Sequence, residues 1–196
     1  MNKARMEAFS DGVLAIVITI MVLELKPPRS ADLDALGPLI PALLCYALSF
    51  VFVGIYWNNH HHLLQAVRRV NGAILWANLH LLFWLSLIPF VTNWMGQQFG
   101  AWPVAAYGVV LLLAGFAYYV LSRVLIAQHG KDSALALAVG RDIKGRLSLL
   151  LYAVAIPVSF ADSRVACGLY GLVAVLWLIP DRRIETALVE GRSGAD

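Results

Sequence analysis

The chain has 196 residues, of which 60% are apolar and 14% charged, with a net charge of +3. A water-soluble domain of this size has no interior large enough to hide that much apolar side chain, so bilayer is the expected solvent. The basic residues stand in short clusters beside apolar runs, where membrane orientation accounts for them, and nucleic acid is not an expected partner.

In chain order, the first apolar run starts behind Lys3 and Arg5 and ends at Glu24-Leu25-Lys26-Pro27-Pro28. No small-residue cleavage site follows, so the segment reads as retained rather than as a signal peptide. A bilayer core needs about 20 residues of helix. Six stretches come close: 9–25, 38–64, 73–94, 103–127, 144–161 and 164–179. The fold class expected is therefore all-α integral membrane, one domain over 1–196, with six transmembrane helices.

Between residues 133 and 146, small apolar residues mix with Arg141, Asp142 and Lys144, which predicts an amphipathic turn on the membrane surface ahead of the fifth span. Pro89, Pro157 and Pro180 are positions where a helix can kink or end. Cys45 falls midway along one run and Cys167 near the start of another, which predicts different depths and no disulfide. With six spans, 12 of the 15 Lys and Arg residues share the side of the two termini. The positive-inside rule then makes both termini cytoplasmic in a multi-pass protein of the cell membrane.

The first run differs from the others. Gly12 to Leu23 covers about 18 Å at about 1.5 Å per residue, less than a core of about 30 Å, so a carboxylate of Asp11 or Glu24 must approach the apolar zone. Such a group is costly against lipid, and Asp11 is expected to face other helices. Gly12, Ile16, Thr19, Ile20 and Leu23 fall on one stripe, with Asp11 well round the helix from it. Trp57, Asn58, Asn59 and His60 close the second run while Asn78 and His80 open the third, at the depth of Asp11. Donors and acceptors of those kinds predict a buried network holding the first helix.

Arg5-x-x-x-Phe9-Ser10-Asp11, Trp57-x-x-His60, and Asn78 with Pro89-Phe90 resemble the transmembrane protein 175 family of potassium channels. The resemblance spans the first three helices. It implies a homotetramer of six-helix chains whose first helix lines the pore, without the Thr-Val-Gly-Tyr-Gly carbonyl filter of other potassium channels. It further implies apolar rings of Ile16, Ile20 and Leu23, a hydroxyl ring of Thr19, and bonding of Ser10 and Asp11 with Trp57, His60 and Asn78; Arg5 and Phe9 complete the anchoring motif. Potassium and other monovalent cations are then permeant ions, no cofactor is implied, and selectivity is expected to be modest. Side chains that lack carbonyl dipoles replace ion hydration poorly.

Three alternatives come from other classes. A secondary transporter calls for inverted repeats and mid-span charges, which are scarce here. A proton-conducting protein is chemically open to an Asp11 and His60 pair. An intramembrane metalloenzyme needs converging ligands, but His60, His61 and His62 diverge by about 100° per residue and no Glu-x-x-His pair completes a cage.

Overall fold

Backbone removed from water must bond to itself, and the apolar runs accordingly become helices. The computed structural model describes residues 2–28, 30–65, 67, 70–130 and 142–179. Among them seven α-helices follow one another: α1 (Lys3–Leu23), α2 (Ile40–Gln65), α3 (Gly72–Ser86), α4 (Ile88–Gln97), α5 (Ala101–His129), α6 (Ile143–Ala161) and α7 (Ser163–Leu178). A 3-10 segment, Leu33–Leu39, leads into α2, and the two act as one apolar unit. The Asn2 side chain accepts from Ala4 N and starts α1, so that helix begins earlier than the apolar pattern alone suggests.

Pro89 divides the third span. It has no N–H to give to Leu85, and the chain turns at Leu87, whose N–H bonds Trp84 O instead. Gly72–Gln97 still forms one membrane-length unit, made of α3 and α4. Pro157, by contrast, sits inside α6 without ending it, and Pro180 lies outside the described residues. So do residues 133–141, on which most of the expected amphipathic turn falls; α6 itself starts at Ile143, capped by Asp142. Five of the units are long and apolar enough to cross a membrane. The sixth, α7, has 16 residues and covers about 24 Å against a core of about 30 Å.

Side-chain contacts fix the direction of each helix. The start of α1, the end of α2 and the start of α3 meet through Trp57–Asp11 and Asn78–Ser10; this is the proximal end. The end of α1 meets the end of α4 through Asn93 and Glu24 at the distal end. Tyr118 of α5 reaches Asn59 of α2, and Trp177 of α7 reaches Ser148 of α6, so α5 and α7 finish proximally and α6 starts there. The bundle alternates up and down. α1 packs on α2, α3 and α4, while α5 joins that group to α6 and α7.

The interior is rich in aromatic rings and small residues. Tyr107, fully buried, shares Ser49 Oγ at 3.0 Å, and Ser49 lies 2.7 Å from Thr92 Oγ1, a polar contact of α2, α4 and α5 inside the core. Cys45 and Cys167 do not lie at different depths. Cys167 Sγ is 4.0 Å from Met95 Sδ, and a Cβ on the next residue, Gly96, would stand 3.7 Å from Cys45 Cβ. Cys45 stands in the second turn of α2 and Cys167 in the second turn of α7, and both helices start at the distal end. Both thiols are free.

Gly108 lets α5 approach α7: a Cβ there would stand 2.9 Å from Cζ of Tyr170 and closer still to its hydroxyl. Gly108→Ala should therefore destabilise the fold by about 1–3 kcal/mol through overpacking. Gly54→Ala in α2 meets nothing within 4 Å and should be neutral or slightly stabilising. Thermal unfolding followed by tryptophan fluorescence compares the two; equal midpoints would show that the α5–α7 approach is not tight.

Candidate functional site

α1 advances by about 100° per residue, and its sequence assigns opposite sides to different surroundings. Met6, Ser10, Leu14, Val17 and Met21 recur every three or four residues and are buried against the rest of the chain. The stripe facing away contains Gly12, Ile16, Thr19, Ile20 and Leu23, all left uncovered by their own subunit or nearly so. Ile16 is 59% exposed, Ile20 42% and Leu23 76%. Thr19 Oγ1 donates to Ala15 O at 2.7 Å, so its single proton is turned into the helix and its oxygen lone pairs remain outward.

The buried side of α1 is fixed by a directional chain of hydrogen bonds. Ser10 Oγ gives its only hydrogen to Met6 O at 2.8 Å and must accept from its other neighbour. That neighbour is Asn78 Nδ2, 3.0 Å away. Asn78 is thereby oriented with its Oδ1 toward His60 Nε2, at 2.7 Å, and His60 carries the proton on Nε2. Ser10, His60 and Asn78 are all buried, and every polar atom in the chain of bonds has a partner from a different helix or from the α1 backbone.

Asp11 departs from what the sequence predicted. It was expected among buried helices, bonded with Trp57, His60 and Asn78; its carboxylate lies instead on an exposed side, and of those three Trp57 is its partner, with Nε1 donating to Oδ1 at 3.0 Å. Trp57 is itself exposed. The reason is angular. Asp11 stands about 100° round the helix from Ser10, so the two cannot both point into the subunit. Arg5 and Phe9 form no side-chain hydrogen bond with the network among the described residues. Both are exposed and border a cavity of about 310 Å³ with Met6, Leu75, Asn78 and Leu79.

Further residues expected near Asp11 have other partners. His80 accepts from Trp84 Nε1, and Asn59 donates to Ile55 O. The three consecutive histidines separate as helical geometry requires: His60 turns to Asn78, while His61 stacks on Trp57 and lies 2.8 Å from Gln65 Nε2. One fastening of α1 was not singled out from the sequence. Asn93 Nδ2 donates to Glu24 Oε2 at 2.8 Å, tying the distal end of α1 to α4. An amide inside an apolar span was the available signal, but its partner sits 69 residues away.

The profile of the family described as endosomal/lysosomal potassium channel TMEM175 matches residues 5–89 of this chain, the part that holds α1, α2 and α3. A protein of Chryseobacterium sp. named as a potassium channel is 53% identical over 97% of this chain and all of its own length. The chain belongs to the TMEM175 family. A second relative, named as a potassium channel in Streptomyces collinus, is 31% identical over 90% of this chain and 92% of its own. The crystal structure described as a lysosomal potassium-selective channel TMEM175 homolog from Chamaesiphon minutus has the same fold. It matches with a TM-score of 0.75 and 26% identity over 90% of this chain and 96% of that one. As a TMEM175-family chain with several apolar helices, this is a multi-pass membrane protein.

In this family member the Asn78 amide joins α3 to α1 and α2 at once. Asn78→Leu leaves both Ser10 and His60 short of a partner and should cost about 2 kcal/mol or more. Asp11→Asn keeps an acceptor for Trp57 and should cost less. The check is the thermal unfolding midpoint in detergent, and an Asn78→Leu midpoint equal to wild type would show that α1 is held by apolar packing alone.

Proposed function

We propose that the protein is a subunit of a potassium-permeable cation channel in which four copies of α1 surround the pore. The observation that carries this reading is the division of α1 into a face buried by its own subunit and an opposite face left uncovered. Lipid is a poor partner for the uncovered side, because Thr19 turns its oxygen lone pairs outward there, at the depth of an apolar span. Further copies of the same helix and a column of ions suit it better. Homologous proteins named as potassium channels support the permeant ion, and the number of copies follows the family resemblance.

On this reading Ile16, Ile20 and Leu23 form apolar rings that stop ions by dewetting when tight and pass them when slightly wider. Thr19 forms a ring of oxygens. Because each hydroxyl proton is committed to Ala15 O, the ring presents acceptors to a passing cation rather than donors. Discrimination between potassium and sodium is modest, since one hydroxyl ring replaces only part of an ion's hydration. The Ser10, Asn78 and His60 chain, Asp11 with Trp57, and Glu24 with Asn93 hold the pore helix to its protomer at both ends. The channel lies in the cell membrane with both termini in the cytoplasm, where 12 of its 15 basic residues then stand.

Purified protein in liposomes with opposed potassium and sodium gradients tests the reading. Wild type should carry a passive current that reverses on the potassium side of zero. Thr19→Ala should move the reversal potential toward zero, and Ile16→Asn should raise the current by wetting the narrowest apolar ring. Potassium flux that is absent in wild type, or that requires a counter-transported ion, would overturn the channel; an unchanged reversal potential in Thr19→Ala would remove Thr19 from selectivity.

A further inference from the structure

The uncovered side of α1 is bounded by two unlike flanks. On one, Asp11 is tied to Trp57, with the exposed Ala8 and Ala15 on the same side of the helix. α2 continues this flank with an exposed line of Ala47, Phe50, Trp57 and His61. Gly54 falls within that line by helical spacing, and a Cβ added to it would meet nothing within 4 Å. The line therefore has gaps at Ala47 and Gly54. On the other flank, Phe9 borders the cavity of about 310 Å³ with Leu75 and Leu79. α3 and α4 continue it with a row of rings, Trp76, Phe83 and Phe90, which are 75%, 55% and 65% exposed.

The rings and the gaps share levels in the membrane. α2 runs against α3 and α4, and two contacts fix their relative depth: His60 with Asn78 at 2.7 Å, and Ala42 with Gly96, where an added Cβ would stand 3.0 Å from Ala42 Cα. Counting along both helices from either contact brings Phe83 level with Ile55 and Phe90 level with Leu48. Gly54 and Ala47 are the adjacent residues, about 1.5 Å away along the axis. The same count sets Leu75 and Leu79, at the cavity, level with Leu63 and Asn59, on either side of His61. Rotation about an axis along the bilayer normal changes no depth. In copies arranged around α1, each ring on one protomer thus stands at the level of a gap on the next. Small residues opposite large ones let helices approach closely in lipid, where no hydrophobic force draws them together. Charge agrees, since Arg5 lines the cavity on the flank with the rings and Asp11 stands on the flank with the gaps.

We propose that the exposed face of α3 and α4 docks head to tail on the exposed face of α2 in a second copy of this chain, with Phe83 seated at the partner subunit's Gly54 and Phe90 at the partner subunit's Ala47. The proposal rests on the reading that α1 faces a central axis. The stack of Trp57 and His61, with ring centroids 6.1 Å apart, is exposed at the level of the cavity, and in the assembly it enters that space on the neighbouring copy. Arg5 then faces the partner subunit's Asp11. Because two different faces meet, neither pairs with its own kind, and copies add in one direction until the ring closes.

Thiol coupling between differently tagged copies tests the docking. Phe83→Cys is placed on one full-length copy and Gly54→Cys on the other, the two are co-expressed, and isolated membranes are treated with a short bismaleimide that joins neighbouring thiols. The expected product on a denaturing gel is a dimer carrying both tags, and one chain bearing both substitutions should give a ladder of dimer and larger species. Each single variant alone, and wild type with its native Cys45 and Cys167, should stay at the size of one chain. As a second measurement, Gly54→Trp overfills the gap and should reduce the assembly seen by light scattering in detergent to single chains. Leu150→Trp, exposed on α6, which packs on α5 and α7, should leave the assembly intact. A missing mixed dimer, a single variant that couples to itself as well as the mixed pair does, or an unchanged assembly in Gly54→Trp would each overturn the docking. Potassium flux by wild type without the mixed dimer defeats this interface and spares the channel, whereas the mixed dimer without flux supports the interface and removes the channel.

Discussion

One helix with two unlike sides governs the arrangement of this molecule. α1 must be gripped firmly on one side and left uncovered on the other, and in a medium without water the grip has to satisfy every polar atom it uses. The chain from His60 through Asn78 and Ser10 to Met6 O meets that requirement, because each donor has a single acceptor and each link fixes the orientation of the next. Apolar packing alone sets the position of such a helix only loosely, since a smooth stripe of Met, Leu and Val tolerates rotation; the polar chain sets its angle. With the angle set, Ile16, Thr19, Ile20 and Leu23 are turned outward together.

The two ends of α1 are secured by different means. At the proximal end the bonds are buried, apart from the exposed Trp57–Asp11 pair, whereas at the distal end an exposed carboxylate, Glu24, is held by Asn93 on α4. α4 owes its separate existence to Pro89, which breaks the third span and lets the distal half pack on α2 so closely that a Cβ added at Gly96 would stand 3.0 Å from Ala42 Cα. The broken span thus fastens α1 twice, through Asn78 below the break and Asn93 above it. α5, α6 and α7 contribute nothing to the α1 stripe directly. They form the aromatic half of the subunit, and a small cavity between their proximal ends and α2 has no wall from α1.

Much of the candidate site was legible before any coordinates because α1 encodes it locally. The stripe of Gly12, Ile16, Thr19, Ile20 and Leu23 follows from helical periodicity, and the need to place Asp11 somewhere other than lipid follows from its charge. The partners were legible only as a pool. Trp57, Asn59, His60, Asn78 and His80 all stand at a suitable depth, and composition does not say that His80 will turn to Trp84 or Asn59 to its own helix. Arg5 and Phe9 belong to the motif by sequence yet stand outside the hydrogen-bonded group, beside a cavity.

The sequence by itself determined the solvent, the helical class, the approximate number of apolar units and the two sides of α1, because each of these follows from composition or from a period of a few residues. Tertiary structure decided which amide faces which imidazole, which of Trp57, His60 and Asn78 reaches Asp11, that Cys45 and Cys167 share a level, and that an aromatic cavity opens between four helices. Those outcomes depend on how far helices slide and rotate against one another. A helix that is apolar on all sides, as α2, α3 and α5 nearly are, carries no local pattern that would fix either quantity. Only packing against the other helices supplies it.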